Sequence, residues 1–214
     1  MDPVTEQGRV EFAGEQRVLG WAVACRSKIE GAPSGDGYLV RRMGNSVLLA
    51  VADGAGSGTE AAEVTKTCLR TLSETNTASL DTLFAQVHHA VQGTRGLALG
   101  VTLVDPANWQ ISWCAVGDIE GVLFHRPASA MRQSQVMIQK GGTLGYTLPK
   151  LIIQCQQIGA GAVIIMTSDG IRHASRDDVV PGNSAGEIAN NVLAARGRDN
   201  DDAIVLAATL DGPS

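Results

Sequence analysis

No apolar run in the sequence approaches the ~20 residues that a membrane-spanning helix needs, and the opening stretch Met1 to Glu6 is polar and partly acidic. Secretion and membrane insertion are therefore not expected. A dense basic stripe is also missing: 17 basic residues are scattered among 22 acidic ones, for a net charge of −5, which argues against nucleic acid as a partner. The four cysteines (Cys25, Cys68, Cys114 and Cys155) contain no C-x-x-C pair and have no histidine at metal-ligand spacing. A zinc site is excluded on that pattern, and buried thiols in a reducing cytoplasm are expected instead. Repeats and low-complexity tracts are absent too. What is present, 44% hydrophobic and 18% charged residues over 214 positions, describes one globular domain spanning 1–214.

Along the chain, Arg17 to Cys25 is rich in strand formers and follows a polar lead-in, and Arg26 to Gly35 reads as a loop. Asp36 to Met43 and Ser46 to Ala52 are strand-like runs joined by Gly44-Asn45, a hairpin signal. Thr59 to Ser73 and Ser79 to Gln92 carry helical periodicity, and Ser57 with Glu60 forms a capping box at the start of the first. Leu97 to Val104, Trp109 to Val116 and Ile119 to His125 read as a three-stranded meander turning at Asp105 to Asn108 and at Gly117-Asp118. Ala128 to Lys140 is ambiguous between strand and loop, and Gly141 to Gly145 must be loop. Leu151 to Gln157 and Ala162 to Thr167 are expected to pair around Gly159 to Gly161. A helix from Ser184 to Arg196, capped by Ser184 with Glu187 and stopped at Gly197, precedes a last buried strand, Ala203 to Thr209. Antiparallel strands with helices inserted between them define an α+β layered domain.

The hairpin has a chemical consequence. With a two-residue turn at 44 and 45, cross-strand partners sum to 89, so Asp36 opposes Asp53. Directly opposed residues have Cβ atoms ~4.5–5.5 Å apart, where like charges repel unless a cation neutralises them. Two further acidic sites, Asp169 and the pair Asp201-Asp202, stand at the mouths of two buried strands. If those strands are antiparallel neighbours, the carboxylates meet at one sheet edge. Hard oxygen donors suit magnesium or manganese, and two such ions can activate water and clamp a phosphoryl group. The glycines after Asp53 let a backbone carbonyl, that of Gly54, turn inward as a further ligand.

The ordered elements Ser34-Gly35-Asp36, Val51-Ala52-Asp53-Gly54-Ala55-Gly56-Ser57-Gly58, Ala115-Val116-Gly117-Asp118, Met166-Thr167-Ser168-Asp169-Gly170 and Asp201-Asp202-Ala203-Ile204 span most of the chain. Together they resemble the PPM-type (type 2C) metal-dependent protein phosphatases, most closely the SpoIIE-like branch with its small stressosome phosphatases of the RsbX kind. The resemblance implies two stacked antiparallel β-sheets flanked by α-helices, with two divalent cations, Mn2+ or Mg2+, at one edge. Carried over by position, Asp36, Asp53, Asp169 and Asp201 would be the catalytic metal ligands. Gly54 would lend its carbonyl, and Asp118 is the candidate for a third metal. A metal-bridging water would attack phosphorus with no phosphoenzyme. By the same likeness the substrate is a phosphoserine or phosphothreonine protein, with STAS-domain stressosome components as candidate partners. The sequence departs from the pattern at Ser57, where the branch often has histidine, and at Ala203-Ile204, where threonine commonly follows the aspartates by one residue.

Other readings fit less well. Gly54, Gly56 and Gly58 lack the Gly-Lys-Ser/Thr ending of a P-loop, and Ser57 has Ala55 two residues before it and Thr59 two after, where a hydrolase elbow has glycines. Asp199 to Asp202 lacks the glycine and glutamate of a calcium loop. His88 and His89 fall on a helix away from the aspartates, while His173, four residues after Asp169, is a candidate general acid. From another class of function, a catalytically silent phosphatase-like module that binds a phosphorylated partner is the alternative.

Overall fold

The computed structural model describes residues 4–12, 16–29, 31–125, 134–174, 178–180 and 182–212. Its strands form a six-stranded and a five-stranded antiparallel sheet. The larger contains β1 (Val4–Phe12), β2 (Arg17–Arg26), β11 (Ala203–Asp211), β10 (Ala162–Thr167), β7 (Glu120–Phe124) and β8 (Ser134–Val136), in that spatial order. The smaller runs β3 (Asp36–Met43), β4 (Ser46–Gly54), β5 (Leu97–Asp105), β6 (Gln110–Val116) and β9 (Gln154–Gln157).

The two-residue period of the strands builds three apolar layers. On β4, Val47, Leu49 and Val51 face the other sheet, while Leu48, Ala50 and Ala52 face α1 (Thr59–Glu74) and α2 (Leu80–Ala90). On β11, Ile204, Leu206, Ala208 and Leu210 point into the sandwich, and Ala203, Val205 and Ala207 lie under α3 (Ala185–Arg196). Each helix buries one stripe, on α1 Ala61, Val64, Cys68 and Leu72. Trp113 of β6 is wholly buried between the sheets and donates its indole N–H to the Ile138 carbonyl at 2.7 Å. A Cβ at Gly121 of β7 would stand 2.6 Å from that indole, so the bare backbone there makes room for the ring. The predicted capping box of α3 is present, Ser184 N–H donating to Glu187 Oε2 at 2.7 Å and Glu187 N–H to Ser184 Oγ at 3.3 Å, and Gly197 is the C-cap.

Several expectations are corrected. The lead-in contains β1, whose exposed Glu6, Gln7, Arg9 and Glu11 hide the alternation that marks a strand. The meander stops after two strands: β7 leaves β6 and pairs with β10 in the other sheet. A turn signal fixes a reversal of direction but not the sheet in which the returning strand finds its partner. For the same reason β9 and β10 do not form a hairpin; β9 closes the edge of β6, and the Gly159 to Gly161 link crosses between sheets. In the ambiguous 128–140 stretch, β8 is a short strand and 128–133 lie outside the described residues. Helix α1 starts one residue later than its expected capping box requires. Gly58 at φ 77° occupies the N-cap with no side-chain cap, and Glu60 pairs with Arg95 instead. Among the thiols, Cys68 and Cys114 are buried, but Cys25 is only half-buried and Cys155 is exposed, since β9 is an edge strand.

Candidate metal centre

The register of the first hairpin pairs Asp36 directly with Asp53. The period that sends Val47, Leu49 and Val51 into the sandwich carries Asp53 onto the same face, toward the other sheet. From that sheet come Asp169, just beyond β10, and Asp201, just before β11, and these strands are antiparallel neighbours. Asp118 sits on the link where the chain crosses from β6 to β7. All five aspartates line one cleft of about 420 Å³ at the seam between the sheets. Gly54 lies behind that wall, its N–H donating to the Gly35 carbonyl at 3.0 Å, and a Cβ there would stand 2.3 Å from the Ala61 carbonyl oxygen. Only glycine fits against α1 at that point.

Hydrogen bonds set the cleft's frame. The buried Ser168 hydroxyl donates to Asp36 Oδ2 at 2.6 Å and accepts the Ile204 N–H at 3.2 Å. Asp202, 8% exposed, accepts the Gly35 N–H at 2.8 Å on one oxygen and the Lys28 N–H at 2.7 Å on the other. Both adjacent aspartates line the cleft but differ in their partners: Asp202 holds the 28–35 loop in place with its two oxygens, whereas half-buried Asp201 has its Oδ1 accepting the Asp202 N–H at 3.1 Å. Sequence reasoning missed Ser168 and Asp202 as organisers of the site. Their signal is present, though, since Ser168 falls on the inward parity of β10 and Asp202 on that of β11.

The electrostatics are those of an unneutralised anion cluster. Burial, then the facing Asp53, pushes the Asp36 carboxyl up to about 8, against the opposing effect of the Ser168 hydrogen bond. Burial also raises Asp53 to about 7, with Asp169, Asp201, Asp202 and Asp118 adding repulsion. Asp169 is shifted up by burial and by Asp201 and Asp118, partly offset by Arg198. Among the described residues no three of these side chains close around a single point. Even so, the donor set fits a hard divalent cation: it is all oxygen, it converges on one cleft, and its charge excess is relieved only by positive charge.

The histidines stand apart from this. His88 Nδ1 accepts the Gly145 N–H at 3.0 Å, a packing role, and His173 pairs with Glu120 rather than lining the cleft, so its candidacy as general acid is not supported. Of the two departures from the resemblance, Ile204 packs its side chain in the sandwich core while its backbone bonds Ser168, and Ser57 is exposed on the cleft wall. A larger cavity of about 660 Å³ lies beside the N-terminus of α3, but its Glu187 is spent on the helix cap and no carboxylate cluster faces it.

Comparison with known proteins bears on the fold and the family. The phosphoserine phosphatase RsbX of Bacillus subtilis (strain 168) is 23% identical over 159 residues, covering 74% of this chain and 78% of that protein. RsbX in complex with magnesium superposes with a TM-score of 0.82 at 20% identity, over 96% of this chain and 100% of its own. A chain solved in work on the bacterial stressosome, described as a modular system adapted to control secondary messenger signalling, is 26% identical with a TM-score of 0.80, over 89% and 98%. The PP2C phosphatase domain of SpoIIE from Bacillus subtilis matches with a TM-score of 0.74 at 19% identity, over 100% of this chain and 72% of that one. Among the described residues no helix is long and apolar enough to cross a membrane. Residues 43–211 match the family described as stage II sporulation protein E (SpoIIE), and the chain belongs to that family of PP2C-type phosphatases.

Proposed function

We propose that this chain, as one catalytic domain over 1–214 in the cytoplasm, removes phosphate from phosphoserine or phosphothreonine on a partner protein in a reaction that requires divalent cations. The observation that carries the reading is the convergence of Asp36, Asp53, Asp118, Asp169 and Asp201 on one cleft at the sheet seam. In this proposal Asp36, Asp53, Asp169 and Asp201, with the carbonyl of Gly54, hold two Mn2+ or Mg2+ ions, and Asp118 serves a third. Bound cations would offset the repulsion among the carboxylates and supply a nucleophilic water at neutral pH. The protein's own part is orientation: Ser168 fixes Asp36, Asp202 fixes the loop leading to it, and Lys28 on the cleft wall offers positive charge to an incoming phosphate. The likeness to RsbX and to a stressosome chain supports a phosphorylated STAS-domain component of a stress-signalling complex as the substrate.

The test is hydrolysis of 4-nitrophenyl phosphate in manganese. Asp53→Asn and Asp169→Asn are each expected to lower kcat by at least about a hundredfold, the scale for one electrostatic group in a site. Activity that survives both changes, or runs equally well in chelator, overturns the metal reading, and a folded protein with no activity at all favours a silent binding module. Loss of phosphate from phosphorylated STAS-domain proteins, compared with unrelated phosphoproteins, tests the substrate.

A further inference from the structure

Beside the cleft, next to its lining residues Leu97 and Thr143, the chain presents a large aromatic ring to solvent from a rigid mount. The turn from Thr143 to Thr147 is closed by the N–H groups of Tyr146 and Thr147, which both donate to the Thr143 carbonyl, at 3.1 and 3.0 Å. Leu144 is wholly buried and exchanges two backbone hydrogen bonds with Leu97, at 3.0 and 3.1 Å, and the Gly145 N–H is held by His88. Tyr146, by contrast, is 68% exposed. Its ring edge rests on Gly96: a Cβ at that position would stand 3.0 Å from Tyr146 Cδ2 and 2.5 Å from the Leu144 carbonyl oxygen. The Gly96 carbonyl in turn accepts the Ala55 N–H at 3.0 Å, and Ala55, Leu97, Ala98 and Thr143 all line the aspartate cleft. The ring is thus seated on Gly96, next in sequence to the cleft-lining Leu97, and Tyr146 stands three residues from the cleft-lining Thr143, just outside the cleft wall.

A residue whose backbone is fixed and whose apolar bulk is left outside adds nothing to the core. An aromatic ring in that situation offers contact area at little entropic cost to whatever covers it. A polypeptide that places a phosphorylated side chain in the cleft must lay its neighbouring residues over the rim. We infer that Tyr146 is a specificity-determining contact for the protein substrate, receiving an apolar side chain that flanks the phosphorylated residue. The inference rests on the phosphoprotein reading above and adds to it a preference of sequence.

The experiment compares two peptides, acetyl-Gly-Gly-pSer-Gly-Gly-amide and the same peptide with leucine at the four flanking positions, on wild type, Tyr146→Ala and Tyr146→Phe in manganese. Wild type is expected to favour the leucine peptide by roughly fivefold or more in kcat/KM, mainly through KM. Tyr146→Ala removes the preference and leaves the glycine peptide within about twofold of wild type, whereas Tyr146→Phe keeps the preference. Equal use of both peptides by wild type, an undiminished preference in Tyr146→Ala, or an equal loss on both peptides overturns the inference while the phosphatase reading stands. If wild type hydrolyses 4-nitrophenyl phosphate and neither peptide, the phosphoprotein reading fails and the inference with it.

Discussion

The hydroxyl of Ser168, just beyond β10, donates to Asp36 Oδ2, at the start of β3, and so ties the two sheets together at the aspartate cleft. The bond also lowers the proton affinity of a carboxyl that burial and Asp53 raise. It therefore favours the ionised ligand that a cation needs. Ser168→Ala is expected to weaken manganese affinity by ~10–100-fold, the usual effect of removing a group that orients a ligand. Titration of activity with manganese measures this. An unchanged midpoint would remove Ser168 from the site.

The paired aspartates before β11 separate stability from activity. Asp202→Ala leaves the Gly35 and Lys28 amides without their acceptor, and by the scale of charge-assisted hydrogen bonds it should destabilise the fold by about 2–4 kcal/mol in denaturant unfolding. Asp201→Asn is expected to keep stability within about 1 kcal/mol of wild type and to abolish manganese-dependent hydrolysis. Equivalent behaviour of the two variants in both assays would contradict their assignment.

The raised carboxyls predict how the metal-free protein responds to pH. For Asp36 at about 8 and Asp53 at about 7, the folded-state values lie above the ordinary value of 3.8, so the fold binds protons that the unfolded chain releases. Their contribution is fully present below about pH 4 and is lost as pH rises through 7 and 8. In chelator the melting temperature should fall by roughly 5 °C or more between about pH 5 and 9, and magnesium should flatten the curve, because a cation replaces the missing protons. A flat profile in chelator would show that the cluster is not strained by its own charge.

Much of this was legible in the sequence where local chemistry decides the outcome. The Gly44-Asn45 turn together with strict side-chain alternation determines the Asp36–Asp53 pairing, and Ser184 with Glu187 marks the start of α3. What stayed hidden is the choice among distant partners. The turn at Gly117-Asp118 is where expected, yet nothing local sends β7 to β10 rather than to β6, and the partner of β9 is equally remote in sequence. β1 was illegible because an edge strand exposes one polar face. The roles of Asp201 and Asp202 could not be separated by chemistry, since identical side chains take different tasks from strand parity and from the loop that folds back on one of them.

The seam has a last consequence. Asp36 and Asp53 belong to one sheet, Asp169 and Asp201 flank strands of the other, and Asp118 rides on the crossing between them. Neither half of the sandwich owns the proposed metal centre; it is assembled by their alignment. The spacing of the carboxylates is therefore set by the packing of the shared core between the sheets, not by any one loop.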